Sequence, residues 1–462
     1  MVRMRFGIGM LVLALLSAGC GARLDAAQTL AAKGGRNTVG QVAGRQTATT
    51  LAGETATTLA STSGGTTGGV SSTGGGDTSS SGGADASCSP SGGTTDVGVT
   101  DSSITTGSVA TVGGPVPGLF KNVQSGVKAY FAMVNSEGGV CGRKLEAQFA
   151  DDRLDAAVNR SATQDLKDKV FAFVGSYSVL DDAGAAVLAG TGIPDIGSAI
   201  GAARASMAEN FAMTPVPPDR KSNGSQPTWR YFMKNYGVSR AVVIWPAQSD
   251  ARNSAQAFVA DMNAVGLQVV DTMEVAVTET NYTGVAQKIA NDKADVMVTA
   301  LEVNGISRLA SALQQVGYHP KVEFFGQQAY GQQLIKLAGS AADGAILALG
   351  HDIVENSANN PEVARFAEWY ARVNPGDDLD FFGIQGWVAA SMFVKALREA
   401  GPQPTRAKVL AALQGFHDFT ADGLIASTDP AGKKSAGCFH VVTIESGAWK
   451  VVDPPTGFIC DS

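Results

Sequence analysis

Apolar and polar residues follow two alternating rhythms between residues 96 and 350 of the chain. Short runs rich in Val, Ile and Phe, with no polar alternation, are separated by longer segments in which apolar residues recur at helical spacing. Continuous apolar runs of this length are typical of strands that are covered on both faces. The pattern therefore predicts parallel sheets flanked by helices, which is an α/β architecture.

The predicted strands form two sets, and an irregular Pro-rich stretch at 210–227 separates them. The first set comprises 97–100, 144–150, 170–175 and 193–196, and the second comprises 240–245, 268–275, 296–300, 322–325 and 344–349. Beyond them, helices are predicted at 361–372, 384–399 and 406–414, followed by a hairpin around Ser446 and Gly447. Two sets with the same rhythm indicate two lobes of related build.

The N-terminus has the pattern of a secretory signal. Arg3 and Arg5 precede the apolar run FGIGMLVLALLSAG, which ends in small residues just before Cys20. Those small residues resemble a bacterial lipobox, although its usual Leu lies one position further from the cysteine. We therefore expect residues 1–20 to be a lipoprotein signal peptide and Cys20 to be the lipidated residue. The alternative is a soluble secreted protein in which Cys20 is incidental.

The segment after Cys20 is poor in residues that could build a core. Residues 61–90 contain nine Gly, nine Ser and five Thr, with Val70 as their only large aliphatic residue. Such a segment cannot bury enough surface to offset the entropy lost on ordering. We expect residues 21–93 to be a disordered tether, with an end-to-end distance of ~45 Å.

Composition narrows the classes of function. The chain has 462 residues, of which 44% are hydrophobic, enough for two or three domains. A net charge of −7 argues against nucleic acid as a partner. No GxSxG, HExxH, P-loop or CxxC motif is present, and the four His are scattered. The sequence therefore predicts a protein that is not an enzyme and that holds neither cofactor nor metal.

Four cysteines remain after Cys20. An even number in an exported protein suggests two disulfides, although four cysteines allow three pairings. Closeness along the chain favours Cys88 with Cys141 and Cys438 with Cys460.

Small polar residues follow two of the predicted strands. Gly175, Ser176 and Ser178 come directly after the strand at 170–175, and Ser198 follows the strand at 193–196. Ligands of open parallel sheets bind outside the carboxyl ends of the strands, and hydroxyls beside a helix N-terminus suit a carboxylate. Tyr177 would provide an aromatic wall there. The alternative is that these serines only cap helices.

Several stretches resemble the type I periplasmic binding proteins, in the group that binds branched-chain amino acids and amides. They are GVKAYFAMVNSEGGVCGRKLEAQFADD at 126–152, FAFVGSYSVLDD at 171–182, GIPDIGSA at 192–199, ASALQQVGYHPKVEFFGQQ at 310–328 and FTADGLIASTDPAG at 419–432. Each motif is weak by itself, whereas their order and spacing over residues 96–455 are specific.

The resemblance implies a fold and its domains. The expected fold class is α/β, with two Rossmann-like lobes whose parallel sheets are joined by a three-crossover hinge. The chain would cross between the lobes near 214–226, 350–354 and 420–426. Lobe 1 would then contain residues 94–216 plus 353–422, and lobe 2 residues 217–352 plus 423–462.

The resemblance also implies contacts to a ligand from both lobes. The implied residues are Ser176, Tyr177, Ser178, Ser198 and Ala199 in lobe 1, and Gln248, Asp250, Glu302, Gln327, Gln328 and Tyr330 in lobe 2. Where amino-acid binders carry an acid for the ligand ammonium, this chain has Gln327 and Gln328. Asp250 or Glu302 would have to replace that acid.

The expected function is that of an extracytoplasmic solute-binding lipoprotein. It would deliver a branched-chain amino acid, an amide or a related carboxylate to an ABC permease with a cytoplasmic ATPase, by closing its hinge. It would act as a monomer that lipidated Cys20 holds at the cell membrane, facing the periplasm or the exterior. The alternative is a ligand sensor on the same scaffold, which neighbouring kinase or cyclase genes would indicate.

Overall fold

The computed structural model describes residue 88 and residues 93–219, 221–434 and 437–460. Cys20, the predicted signal peptide at 1–20 and nearly all of the predicted tether at 21–93 lie outside the described residues. The described chain contains two sheets and twelve α-helices.

The first sheet is parallel throughout and has the strand order β2-β1-β3-β4. Its elements along the chain are β1 (Ser103–Ala110), α1 (Lys121–Ser136), β2 (Lys144–Asp151), α2 (Ala156–Lys167), β3 (Ala172–Val174), α3 (Asp182–Leu188), β4 (Asp195–Ile196) and α4 (Ala202–Ser206). The predicted strands at 144–150, 170–175 and 193–196 all overlap strands of this sheet.

The prediction of a strand at 97–100 is wrong, because β1 begins only at Ser103. Val99 makes a single isolated bridge to Ile104. The sequence of β1, SITTGSVA, is too polar to be recognised as a central strand. Its buried hydroxyls are satisfied internally: Ser108 Oγ donates to the Gly175 carbonyl over 3.0 Å, and Thr106 Oγ1 to the Glu146 carbonyl over 3.2 Å. Polar residues can occupy a buried strand when their hydrogen bonds are made in this way.

The second sheet is mixed and has the strand order β11-β10-β9-β8-β7-β5-β6. Its elements are α5 (Gln226–Tyr236), β5 (Arg240–Pro246), α6 (Ser249–Ala264), β6 (Gln268–Val275), α7 (Thr283–Asn291), β7 (Val296–Thr299), α8 (Val303–Val316), β8 (Val322–Phe324), α9 (Gln332–Ala338), β9 (Ile346–Leu349), β10 (His440–Glu445) and β11 (Ala448–Asp453). Strands β5 to β9 are parallel, whereas β10 is antiparallel to both of its neighbours. The terminal hairpin therefore extends this sheet at one edge.

The three helices between β9 and β10 pack on the first sheet and its helices. They are α10 (Pro361–Val373), α11 (Phe381–Ala400) and α12 (Arg406–Leu413). Helix α11 approaches α1 so closely that a Cβ atom on Gly386 would overlap the Val123 carbonyl oxygen, and one on Gly126 would overlap the Gly383 carbonyl oxygen. Glycine is required at both positions for this approach. We refer to the first sheet with α1–α4 and α10–α12 as the first lobe, and to the second sheet with α5–α9 as the second lobe.

The chain passes between the two lobes three times: after α4, after β9 and after α12. The second and third passages pair with each other as antiparallel backbone. Asp352 N donates to the Leu424 carbonyl over 2.8 Å, and Ala426 N donates to the Gly350 carbonyl over 2.9 Å. The predicted fold class, two α/β lobes joined by three crossovers, is confirmed.

Two disulfides tie down the ends of the described chain. Cys88 is joined to Cys141, which lies in the turn between α1 and β2, and Cys438 is joined to Cys460. The structure thus has the pairing that closeness along the chain favours. The second disulfide connects the entry of β10 to the segment after β11.

Candidate functional site

A cleft of about 660 Å³ lies between the two lobes. Both sheets contribute to its walls through loops at the carboxyl ends of their strands, including Leu119 and Tyr177 from the first lobe and Gln248 and Leu301 from the second. The interlobe passages contribute as well, with Met213, Thr214, His351 and Ile425 among the lining residues. The volume falls within the range of ligand pockets in proteins.

Aromatic rings form a row along the first-lobe side of the cleft. The Phe120 and Tyr177 ring centroids are 4.6 Å apart, the Tyr177 and Phe382 centroids 5.5 Å, and the Phe382 and Phe381 centroids 5.2 Å. All four rings line the cleft. The row ends at the interlobe passage, where Phe381 lies 5.6 Å from the His351 ring. This wall is suited to an apolar solute.

Polar groups without full charge lie where the lobes join. Thr214 Oγ1 donates to Gln385 Oε1 over 2.8 Å, and both residues line the cleft. The imidazole of His351 is buried there, and burial lowers its pKa to about 4, so the ring is neutral at pH 7. The junction therefore offers hydrogen bonds to a solute without placing a cation beside it.

Carboxylates at the rim of the cleft are mostly paired. Asp377 accepts from Lys121 Nζ over 2.7 Å, and Asp378 accepts from Lys336 Nζ over 2.7 Å. Asp380 caps α11 by accepting from Gly383 N over 2.8 Å, and burial raises its pKa to about 6. Because Asp378 belongs to the first lobe and Lys336 to α9 of the second, their ion pair links the lobes across this rim.

Five residues expected to contact a ligand do line the cleft: Tyr177, Gln248, Glu302, Gln327 and Gln328. Glu302 also caps α8, because its carboxylate accepts from Asn304 N over 2.7 Å and from Gly305 N over 2.6 Å. Gln328 Nε2 donates to the Leu301 carbonyl over 3.1 Å. The side chains of Glu302 and Gln328 therefore hold the loop after β7 in addition to facing the cleft.

Ser176, Ser178 and Ser198 do not line the cleft, and all three are buried with partners inside the first lobe. Ser176 Oγ accepts from Val109 N over 3.2 Å, Ser178 Oγ from Leu180 N over 3.0 Å, and Ser198 Oγ donates to Asp181 Oδ2 over 2.9 Å. These hydroxyls organise the strand ends, and because neither α3 nor α4 has a side-chain cap, the alternative in which the serines cap helices is not supported either. Contact of these three serines with a ligand stays a prediction, and their buried positions do not support it.

Of the other three residues expected to contact a ligand, two are buried and the side chain of the third is not described. Ala199 is buried and does not line the cleft. Tyr330 is also buried; its hydroxyl donates to Glu355 Oε2 over 2.9 Å and accepts from Val354 N over 2.8 Å. Asp250 belongs to α6, and its side chain lies outside the described part of the structure.

Replacing Ser176 by Ala should lower the free energy of unfolding by about 1–3 kcal/mol, because the buried Val109 N–H loses its acceptor. Urea unfolding of the variant measures this cost. The matched control is Ser161→Ala on the exposed face of α2, which should stay within about 0.5 kcal/mol of the unchanged protein. An equally small effect at Ser176 would show that its hydroxyl does not hold the strand ends together.

Several lining residues escape the sequence analysis. Phe120, Phe381, Phe382 and Gln385 line the cleft from segments that do not follow a predicted strand, and His351 lines it from a position just after the predicted strand at 344–349. The FF pair follows the acidic run GDDLD, which is a recognisable signal for a helix start but not for a ligand contact. Only the fold brings these residues beside Tyr177.

The described residues contain neither a candidate metal site nor a candidate membrane-spanning helix. No group of three or more His, Cys, Asp or Glu among the described residues is arranged to hold a metal ion. No described helix has the length and apolar character needed to span a bilayer.

Two α/β lobes, three passages between them and a lined cleft at the junction define the class of two-lobed solute-binding proteins. The chain belongs to the periplasmic binding protein family, whose model matches residues 103–448. The family that the sequence motifs resemble is thereby confirmed.

Two relatives have printed names that refer to branched-chain amino acids. The Leu/Ile/Val-binding protein BraC3 of Rhizobium johnstonii is 23% identical over 42% of this chain, and the match covers 54% of the relative, about half its length. The Leu/Ile/Val-binding protein homolog 3 of Brucella melitensis is 21% identical over 75% of this chain and 92% of the relative.

Solved structures share the fold. A fatty acid ABC transporter substrate-binding protein from Thermomonospora curvata matches with a TM-score of 0.69 and 21% identity, covering 80% of this chain and 95% of that chain. The branched-chain amino acid transporter substrate binding protein LivJ from Streptococcus pneumoniae, in complex with isoleucine, matches with a TM-score of 0.62 and 17% identity, covering 76% of this chain and 100% of that chain. At these identities the likeness establishes the fold only.

Proposed function

We propose that the chain is an extracytoplasmic solute-binding lipoprotein that delivers a small, mainly apolar molecule to an ABC permease. The observation that supports this most is the cleft, because both lobes and the passages between them line it. A solute in that position contacts both lobes, so it binds the closed arrangement better than the open one. Hinge closure around a ligand is the motion expected of such a build.

The proposed solutes are branched-chain amino acids, amides and related carboxylates. Their apolar bodies suit the row formed by Phe120, Tyr177, Phe382 and Phe381. The names of the relatives, which refer to Leu/Ile/Val and to a fatty acid, support a solute with an apolar body. For an amino acid, Glu302 would pair with the ligand ammonium, since it lines the cleft while capping α8.

We also propose where the protein is located and which proteins are its partners. Cys20 would carry the lipid that holds the protein on the outer face of the cell membrane, and the Gly/Ser/Thr-rich segment would let the lobes reach a permease. The permease and its cytoplasmic ATPase are the proposed partners, and the chain would act as a monomer without catalytic activity. Mass spectrometry of the membrane fraction tests the anchor, because Cys20→Ser should abolish lipidation and release the protein.

Native mass spectrometry of the freshly purified protein tests solute binding, and calorimetry with isoleucine, isobutyramide and decanoate follows it. Val303→Trp should abolish the bound mass and the heat of binding, because Val303 lines the cleft and the indole would fill it. The control is Val452→Trp on the exposed face of β11, which should bind as the unchanged protein does. Solute retained equally by both variants, or no solute and no heat with any protein, would contradict the proposal.

A further inference from the structure

His351 has an unusual position for a buried histidine. It follows β9 at the second passage between the lobes, where it bridges to Ile425 of the third passage. Its side chain is 1% exposed and lines the cleft. The ring is held on both sides, since its centroid lies 5.4 Å from the Tyr330 ring and 5.6 Å from the Phe381 ring.

The hydrogen bond of the ring fixes its tautomer. His351 Nδ1 lies 2.9 Å from the Asp352 carbonyl oxygen. A carbonyl oxygen can only accept, so Nδ1 carries the proton and donates it. In a neutral imidazole the other nitrogen is then a bare acceptor. Burial lowers the pKa of His351, which keeps the ring neutral and leaves Nε2 unprotonated at pH 7.

That acceptor has no partner in the described structure. His351 Nε2 is buried and makes no hydrogen bond. A buried polar atom without a partner costs about 1–3 kcal/mol, and this one belongs to a residue that lines the cleft, so a group that arrives with the solute is its best explanation. The anion of a plain carboxylic acid cannot supply that group, because it has only lone pairs to offer.

We propose that the solute donates an O–H or N–H hydrogen bond to His351 Nε2 while its apolar body lies along the aromatic row. This inference rests on the proposed function and narrows it. Within the proposed range of solutes, it favours amino acids and amides over simple carboxylates. His351 is thereby a specificity-determining residue at the junction of the lobes.

Two probes of identical atomic composition test the hydrogen bond. 2-Phenylethanol carries an O–H donor, whereas its isomer benzyl methyl ether carries none. The unchanged protein should bind 2-phenylethanol at least about tenfold more tightly than the ether, since roughly 1.4 kcal/mol corresponds to a factor of ten and a hydrogen bond to a buried acceptor is of that size. Calorimetry or ligand-observed NMR measures both affinities.

Three variants locate the effect. His351→Phe keeps a ring between Tyr330 and Phe381 and should abolish the preference for the alcohol. His351→Gln retains an acceptor at a similar reach and should keep part of the preference. His319→Phe is the control, because His319 contacts Glu323 and does not line the cleft, and the preference should survive. Circular dichroism and thermal unfolding confirm that each variant is folded before binding is measured.

Equal affinities for the two isomers, binding of neither, or a preference that persists in His351→Phe would overturn the assignment of His351. These outcomes differ from failure of the proposed function. A solute without O–H or N–H groups that co-purifies in the cleft would leave the binding function intact and remove only the role of His351.

Discussion

Arg204→Met lowers the free energy of unfolding by about 3–5 kcal/mol, because it removes one partner of a fully buried ion pair. Arg204 is 2% exposed and Asp195 is not exposed at all. The guanidinium donates to Asp195 twice, from Nε over 2.9 Å and from Nη2 over 2.5 Å. Methionine fills most of the space, so the cost arises from the charge that remains on Asp195 rather than from a cavity.

The same substitution should make stability depend more strongly on pH. Arg204 also acts on Asp181, whose pKa burial raises to about 6 while Arg204 opposes the rise. Without the guanidinium, the pKa of Asp181 shifts further upward, and protonation of Asp181 in the native state then stabilises that state as pH falls. Denaturant unfolding should therefore show a smaller loss at pH 5 than at pH 7.5.

The exposed ion pair of Arg372 with Glu368, 2.6 Å apart, provides the control for Arg204→Met. Both side chains of this pair are more than half exposed, so Arg372→Met should cost below about 1 kcal/mol at either pH. Similar losses for the two variants would show that the buried pair is not the main support of the loop after β4.

Trp387→Ala should cost about 3–5 kcal/mol, which is typical for truncation of a large buried ring. The Trp387 ring is fully buried in α11, with the Tyr130 ring of α1 at 4.7 Å and the Phe366 ring of α10 at 5.4 Å. Its Nε1 donates to Glu362 Oε1 over 2.9 Å. The substitution thus leaves a cavity and deprives Glu362 Oε1 of its donor, while Arg365 Nη1 still donates to Glu362 Oε2 over 2.9 Å.

A second variant separates those two effects. Trp387→Phe keeps most of the packing but removes the N–H, so the pKa of Glu362, which burial already raises to about 7, should rise further. The control is Trp369→Ala, because Trp369 is only partly buried on α10 under the Arg372 guanidinium, and it should cost about 1 kcal/mol or less. Urea unfolding of the three variants measures the costs. Equal losses for Trp387→Ala and Trp369→Ala would contradict the assigned role of Trp387.

Much of the fold could be predicted because most of its strands are continuous apolar runs. The strand at 268–275 agrees with the structure at both ends. The prediction failed for β1, where buried Thr106 and Ser108 make internal hydrogen bonds that a hydropathy pattern cannot show. The antiparallel direction of β10 beside β9 was equally inaccessible, since no local pattern encodes which edge a terminal hairpin joins.

The cleft was predicted less completely than the fold. The position of residues at strand ends selected Tyr177 but also Ser176 and Ser198, because such a position does not tell whether a hydroxyl turns outward or back into the loop. Phe382 enters the cleft only through the start of α11, whereas His351 follows β9 at the second passage between the lobes. Their role depends on tertiary structure, which sequence spacing does not report.

The proposed function requires that one solute lies between the lobes and contacts both of them. A crystal structure of the protein with the solute that native mass spectrometry identifies tests it most directly. We expect electron density for a single molecule that lies beside Tyr177 and Phe382 of the first lobe and beside Gln248 and Leu301 of the second. The molecule should also contact His351 at the junction of the lobes. Density outside the cleft, or contacts to one lobe only, would contradict it.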